Sequence, residues 1–166
     1  MKQVLLVFAA CFASLIAHAQ LPKTPSSPAA ACECYILADD SFELFINGKL
    51  TWHASDYQNV VQKTLSLRRG DVVVVSVTDK QGGLGGMFAA VILRDDAVLA
   101  SSKDFRYTVE PRPDFTTNRS LLNLRVPDLT PFQKSFGLGP DKQPKQAWSQ
   151  KSDRQYGLVH FKYVVP

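Results

Sequence analysis

The sequence is poor in cysteine, which argues against a disulfide-stapled scaffold, and a lone C-x-C falls far below the ligand count of a structural zinc site. Its three cysteines are Cys11, Cys32 and Cys34, whereas a structural zinc ion takes about four ligands. In an extended strand the Cα atoms of Cys32 and Cys34 would lie about 6.6–6.8 Å apart, at the outer limit of disulfide geometry. A bond that bends the strand, an intermolecular bridge and two free thiols all stay open.

Residues for acid–base and nucleophilic catalysis are also scarce. The chain has three histidines and no G-x-S-x-G or H-E-x-x-H pattern. His53 and His160 fall in expected strands, where histidine is more often a surface or half-buried packing residue. The glycine-rich residues 82–86 lack the Gly-Lys-Ser/Thr of a phosphate-binding loop and precede an expected strand rather than a helix. We therefore expect no enzymatic activity and no cofactor.

The chain also has no large excess of charge of one sign. Nineteen basic residues oppose fifteen acidic ones, so the net charge is +4, and the basic residues are scattered among the acids. Nucleic-acid binding would need a basic stripe or patch, and we expect no nucleic-acid partner. Beyond the N-terminal stretch no long segment has the apolar spacing and caps of a helix, so helix content should be low.

The first nineteen residues have the layout of a cleavable signal peptide. Lys2 supplies the positive charge, residues 4–16 form the apolar stretch, and Ala17-His18-Ala19 gives the small-x-small cleavage pattern. The stretch is shorter than the roughly 18 apolar residues of a membrane span. We predict a secreted, extracellular protein without a membrane span, with a Pro/Ser-rich flexible lead-in at residues 20–33 and a single domain at residues 34–166.

The rest of the chain has the pattern of short strands separated by tight turns. Asn47-Gly48 between residues 42–46 and 49–53 predicts a hairpin, because a type I′ turn needs positive φ at both central residues. The four valines at residues 72–75 begin a strand that should be covered on both faces. Further strands are expected at residues 64–67, 87–93, 97–100, 121–126 and 156–165. The pattern predicts an all-β sandwich, jelly roll or similar fold.

Several stretches resemble, in the same order, the galactose-binding-domain-like jelly rolls found as accessory and lectin-like modules of secreted proteins. Residues 38–49 (ADDSFELFINGK) resemble the hairpin of that family, and residues 67–79 with the glycine loop and the next strand resemble its core. Residues 102–107 and the closing segments 147–148 and 159–164 resemble two further motifs. Val72 and Phe105 depart from the Asn and Trp common in the family. The resemblance implies a jelly-roll β-sandwich, and some members hold a structural calcium in loops at one end.

Sugar binding would require exposed aromatic rings with polar neighbours, because sugar C–H faces pack on rings and hydroxyls need directed partners. The candidate ligand-binding residues are Trp52, His53, Asp56, Tyr57 and Trp148. We therefore expect a non-enzymatic binding module for a glycan or extracellular, cell-surface polymer. A structural or adhesive domain that binds a secreted or surface protein is the alternative, and a small secreted hydrolase is less favoured.

Two other sites have weaker patterns. Asp39 and Asp40 are adjacent carboxylates that could supply oxygens to a calcium ion, although calcium takes about six to eight oxygens from several segments. The alternative role of Asp40 is to accept hydrogen bonds from turn amides. Asn118 begins an N-x-S sequon and would carry a glycan in a eukaryotic secretory pathway.

Overall fold

The computed structural model describes residues 27–55, 59–80, 86–132, 134–150, 153 and 157–166, and this part of the chain forms two antiparallel β-sheets. The strands are β1 (Ala30–Ala38), β2 (Ser41–Ile46), β3 (Lys49–Ala54), β4 (Val61–Leu67), β5 (Val72–Thr78), β6 (Phe88–Arg94), β7 (Ala97–Ser101), β8 (Arg106–Thr108), β9 (Asp128–Thr130), β10 (Gln146–Trp148) and β11 (Leu158–Val164). Single turns of 3₁₀-helix occur at Ser102–Asp104 and Pro140–Lys142. The predicted all-β fold is confirmed.

The two sheets are assembled from segments that are distant in the sequence. Sheet A has the order β4-β1-β6-β10-β9, and β7 also pairs with β6. Sheet B has the order β3-β2-β5-β11-β8. The chain passes from sheet A to sheet B between β1 and β2, and it returns between β3 and β4. Central strand β5 therefore has neighbours on both edges, β2 and β11.

Apolar side chains fill the space between the two sheets. Ile36 and Phe88 of sheet A lie in one buried cluster with Val75 and Phe161 of sheet B. The rings of Phe88 and Phe161 are stacked with centroids 4.3 Å apart, so the sheets touch directly. Full burial of one such side chain contributes roughly 1.5–3 kcal/mol to stability. Two facing antiparallel sheets with a shared core fit a β-sandwich.

The valine run of β5 is buried on both faces, as its lack of alternation predicts. Val73 and Val75 face the core between the sheets. Val72 and Val74 point to the outer face of sheet B, where Phe115 covers them. The loop that carries Phe115 thus closes part of this outer face and leaves another part open.

The predicted hairpin of β2 and β3 is confirmed. Asn47 and Gly48 have φ values of 51° and 82°, as a type I′ turn requires. The Asn47 side-chain amide donates to Asp71 Oδ1 at 2.8 Å, and Asn47 Oδ1 accepts from the Val72 amide at 2.9 Å. These contacts join the hairpin turn to the turn that precedes β5.

The prediction of a strand at residues 121–126 is wrong. The segment is a turn in which Arg125 alone forms a β-bridge, with Tyr107. The guanidinium of Arg125 pairs with Asp153, whose carboxylate also accepts a hydrogen bond from the Tyr107 hydroxyl at 2.7 Å. One bridge and one polar network, in which Tyr107 and Asp153 are buried, therefore hold the segment, and a strand ladder is not needed.

The first strand starts earlier than the sequence indicates. β1 begins at Ala30, so residues 30–33, expected in the flexible lead-in, belong to sheet A. Cys32 and Cys34 are each 1% exposed and point into the core as free thiols. Desolvation raises the pKa of Cys34 far above its usual value. Of the three states left open by the sequence, the structure has two free thiols.

Candidate functional site

A row of polar side chains crosses the outer face of sheet B. Strand pairing sets His53 beside Glu43, Glu43 beside Ser76, and Ser76 beside His160, with Thr108 next to His160 at the far edge. Because side chains alternate along a strand, all five project away from the core that their neighbours fill. We refer to His53, Glu43, Ser76, His160 and Thr108 as the polar row.

The centre of the polar row is a tight contact between Ser76 and His160. Ser76 Oγ and His160 Nδ1 are 2.7 Å apart, and Ser76 is 7% exposed. The Phe115 ring meets the imidazole edge to face, with centroids 6.0 Å apart. Burial lowers the pKa of His160 below its usual value, so at neutral pH the imidazole is uncharged. The uncharged imidazole can donate or accept a hydrogen bond, either with Ser76 or with a polar ligand.

Four members of the polar row, all except Thr108, form the floor of a groove. One depression of about 570 Å³ extends from His53 and Leu50 to Ser76, and a second of about 350 Å³ continues to His160 under the loop at Phe115. The two share residues Glu43, Ser76 and Leu158. Leu50 and Leu158 are exposed at its margins. The groove thus combines apolar walls with a polar floor.

The predicted ligand-binding residues are placed very differently from one another. His53 is exposed and belongs to the polar row. Trp52 is half-buried beside the core, where it meets Phe42 edge to face at 4.9 Å. Trp148 is 5% exposed and lies in the core, 6.0 Å from the Phe161 ring, so it offers no open ring face. Asp56 and Tyr57 lie outside the described residues.

Trp148 is held in the core by close packing against a glycine. A Cβ atom at Gly86 would lie 2.0 Å from the indole ring, which requires the absence of a side chain there. The indole N–H is buried without a hydrogen-bond partner in the described part of the chain. The position of Trp148 is therefore explained by core packing.

Asp39 and Asp40 occupy the turn that connects the two sheets. Asp39 Oδ1 accepts a hydrogen bond from the Asp40 amide at 3.1 Å, and Asp40 Oδ2 accepts one from the Lys80 amide at 2.5 Å. Burial and the neighbouring charges of Asp79 and Asp40 raise the pKa of Asp39. Among the described residues no group of three or more His, Cys, Asp or Glu side chains is arranged to hold a metal ion. Both aspartates bond to turn amides, as expected of turn residues.

Asn118 lies in the exposed loop over sheet B. Its side-chain amide donates to Asp114 Oδ2 at 2.8 Å, and its Oδ1 accepts from the Ser120 amide at 2.8 Å. A glycan attached here would lie at a cavity that Asn118 lines beneath this loop rather than in the groove at His53 and Glu43.

Sequence reasoning did not assign Glu43, Ser76 or His160 to a site. Alternation within each strand indicates that they project from one face, because their neighbours are strongly apolar. The signal that unites them is the pairing of β2 with β5 and of β5 with β11, which joins residues far apart in the sequence. No local motif contains that information.

In the part of the chain that the structure describes, no helix has the length and apolar character needed to span a membrane. Comparison with protein-family models, with characterised proteins and with solved structures finds no match to this chain.

Proposed function

We propose that this protein is a secreted, non-enzymatic binding module that recognises a glycan or another extracellular polymer. The observation that carries the proposal is the groove on sheet B, whose floor is formed by four members of the polar row, His53, Glu43, Ser76 and His160. The proposal includes a jelly-roll arrangement of the sandwich, for which the ADDSFELFINGK hairpin and the two antiparallel sheets are the support.

The chemistry of the groove suits a polyhydroxylated ligand. Sugar rings need apolar surfaces for their C–H faces and fixed polar partners for their hydroxyls. Leu50, Leu158 and Phe45 provide apolar surface, and the Glu43 carboxylate and the His53 imidazole supply the polar partners. Most of the floor is built on paired strands, so its polar groups are held in place before a ligand arrives.

The geometry around Ser76 supports binding over hydrolysis. A serine that attacks an ester needs preorganised donors for the oxyanion, commonly backbone N–H groups. Ser76 lies inside β5, which pairs with β2 on one edge and with β11 on the other, so the nearby amides already bond to neighbouring strands. The contact between Ser76 and His160 therefore serves to fix the floor of the groove.

A different surface favours the alternative of a protein partner. Leu122 is 81% exposed, and Leu121 and Val126 of the same turn are exposed too. Exposed apolar residues clustered in one loop are typical of contact sites with other macromolecules. Val126 lines neither the groove nor the cavity beside it. Loss of a protein partner on Val126→Ser, with glycan binding unchanged, would support that function.

The test of glycan binding uses a glycan array and then affinity measurements on retained glycans. We expect Glu43→Gln to weaken binding about tenfold or more, because a hydrogen bond to a charged group contributes roughly 1.5–3 kcal/mol. Asp141→Asn is the matched control, since Asp141 is an exposed carboxylate in the Pro140–Lys142 turn and does not line the groove. Equal binding by both variants and the wild-type protein, or no retention of any glycan, would contradict the proposal.

A further inference from the structure

A smaller cavity lies beside the groove, between β11 and the loop that covers sheet B. Its volume is about 230 Å³. It shares Arg112 and Phe115 with the second depression of the groove, so both open on the same face of the molecule. Lys162, on β11, lines this cavity, two residues beyond His160 of the polar row.

Lys162 is a buried lysine that forms no direct ion pair with another described residue. It is 1% exposed, and its Nζ lies 4.7 Å from the centroid of the Phe115 ring. Within the described residues its ammonium makes this cation–π contact and no hydrogen bond or ion pair. Burial lowers the pKa of Lys162, and the charge of Asp114 opposes this only in part. A buried ammonium that is compensated only in part is destabilising, and an anion that entered the cavity would relieve the cost.

Two carboxylates also line the cavity, and neither pairs with Lys162. Asp114 Oδ2 accepts a hydrogen bond from the Asn118 side chain at 2.8 Å. Glu110 is exposed to water, which screens its charge. Asp114 therefore offsets the charge of Lys162 only in part and without a direct ion pair.

Uncommitted donors line the same cavity. Arg112 and Asn123 line it together with Lys162, and neither side chain makes a hydrogen bond within the described part of the chain. An ammonium, a guanidinium and an amide form a donor set that suits an oxyanion with several acceptor oxygens.

We propose that this cavity binds an oxyanion, the carboxylate or sulfate group of an acidic glycan, with Lys162 as its counter-ion and Arg112 and Asn123 as further donors. The inference rests on the proposed function and names the class of glycan. A neutral part of the polymer would occupy the groove while its charged substituent enters the cavity.

The first experiment compares binding of the full chain to polygalacturonate, dextran sulfate and neutral dextran by affinity electrophoresis. We expect binding to one of the anionic polymers to be at least tenfold tighter than to dextran. Polygalacturonate would identify a carboxylate as the bound group, and dextran sulfate a sulfate.

The lysine variants test whether the cavity causes this preference. Lys162→Met keeps an unbranched stem beneath Phe115 and should lose the tenfold preference. Lys103→Met is the matched control, because it changes the net charge equally at an exposed position outside the cavity, and should keep the preference. Equal loss in both variants would show that binding follows overall charge and would overturn the inference. Equal binding of neutral and anionic polymers would also overturn it, while leaving glycan binding intact.

The second experiment needs no variant and no polymer. Galacturonate and glucose 6-sulfate are titrated into the full chain carrying ¹³C-labelled lysine, and the ε-CH₂ resonance of Lys162 is followed by NMR. We expect a saturable shift with one of the two anions and none with glucose. No saturable shift would overturn the inference even if a polymer binds. A shift without binding of any polymer would support the anion cavity and contradict the glycan-binding module.

Discussion

At the scale of single residues, β11 presents two basic side chains to an environment that disfavours their charge. His160 and Lys162 both project from the outer face of sheet B, and the Phe115 ring lies against each of them. Burial lowers the pKa of both. His160 has Ser76 as a hydrogen-bond partner, whereas Lys162 lines a cavity. The two side chains therefore project from the same face of β11, but His160 is already hydrogen-bonded to Ser76, whereas the Lys162 ammonium is left to interact with a ligand in the cavity.

The lowered pKa of His160 predicts a loss of stability in mild acid. The unfolded chain takes up the proton near pH 6.5, before the folded protein does, so the free energy of unfolding falls as the pH decreases below that value. Urea unfolding between pH 5 and 8 measures the slope. His160→Gln should reduce the slope of the unfolding free energy against pH. His53→Gln, at the exposed end of the polar row, is the control, because the contribution of His160 to the slope should remain in that variant. An unchanged slope in His160→Gln would contradict this account.

At the scale of elements, the type I′ turn does more than join β2 to β3. Asn47 also bonds to Asp71 and to the Val72 amide, and Asp71 Oδ2 accepts from the Arg68 amide at 2.7 Å. Two turns are thereby tied together where the hairpin enters the centre of sheet B. The local sequence specified the turn, and the neighbouring turn uses the same side chain to align β5.

Replacement of Asn47 tests this connection. Asn47→Ala removes both side-chain hydrogen bonds and places alanine at a positive φ, and we expect a loss of about 1–3 kcal/mol. Lys49→Ala in the same hairpin should change the free energy of unfolding by less than about 0.5 kcal/mol. A double-mutant cycle with Asp71→Ala measures the coupling. Additive effects of the two substitutions would show that the turns are independent.

At the scale of the whole molecule, the sandwich encloses both cysteine side chains of β1. Cys32 and Cys34 point between the sheets, next to residues contributed by segments from both ends of the described chain. Access to either thiol requires the sheets to separate. Their protection is consequently a property of the complete core and not of strand β1.

Thiol labelling reports on that separation. Iodoacetamide should modify Cys32 and Cys34 in the native protein at least about a hundredfold more slowly than in urea, because a native domain is usually stable by about 5 kcal/mol or more. Peptide mapping identifies the modified cysteine. Ser66→Cys adds an exposed thiol on the same sheet as a positive control. Native-state labelling of Cys32 or Cys34 as fast as at position 66 would contradict the burial.

The success of sequence reasoning depended on the range of the interactions concerned. The Asn47-Gly48 turn and the buried valines of β5 follow from neighbouring residues and were predicted. The strand expected at residues 121–126 failed because the Arg125–Asp153 pair and the bridge to Tyr107, all contacts outside the segment, decide its conformation. Of the polar row, sequence reasoning named only His53 as a candidate, and it also named Trp52 and Trp148, which lie beside and in the core.

The sequence by itself determined the all-β character, the hairpin and the covered strand β5, because alternation and turn chemistry act over a few residues. Tertiary structure alone decided which outward-facing residues meet. Ser76 and His160 are separated by 84 positions and touch because β11 pairs with β5. The Lys162 side chain is buried because the loop carrying Phe115 folds back over the same face. Strand pairing and loop packing over long sequence distances created the groove and the buried charge beside it.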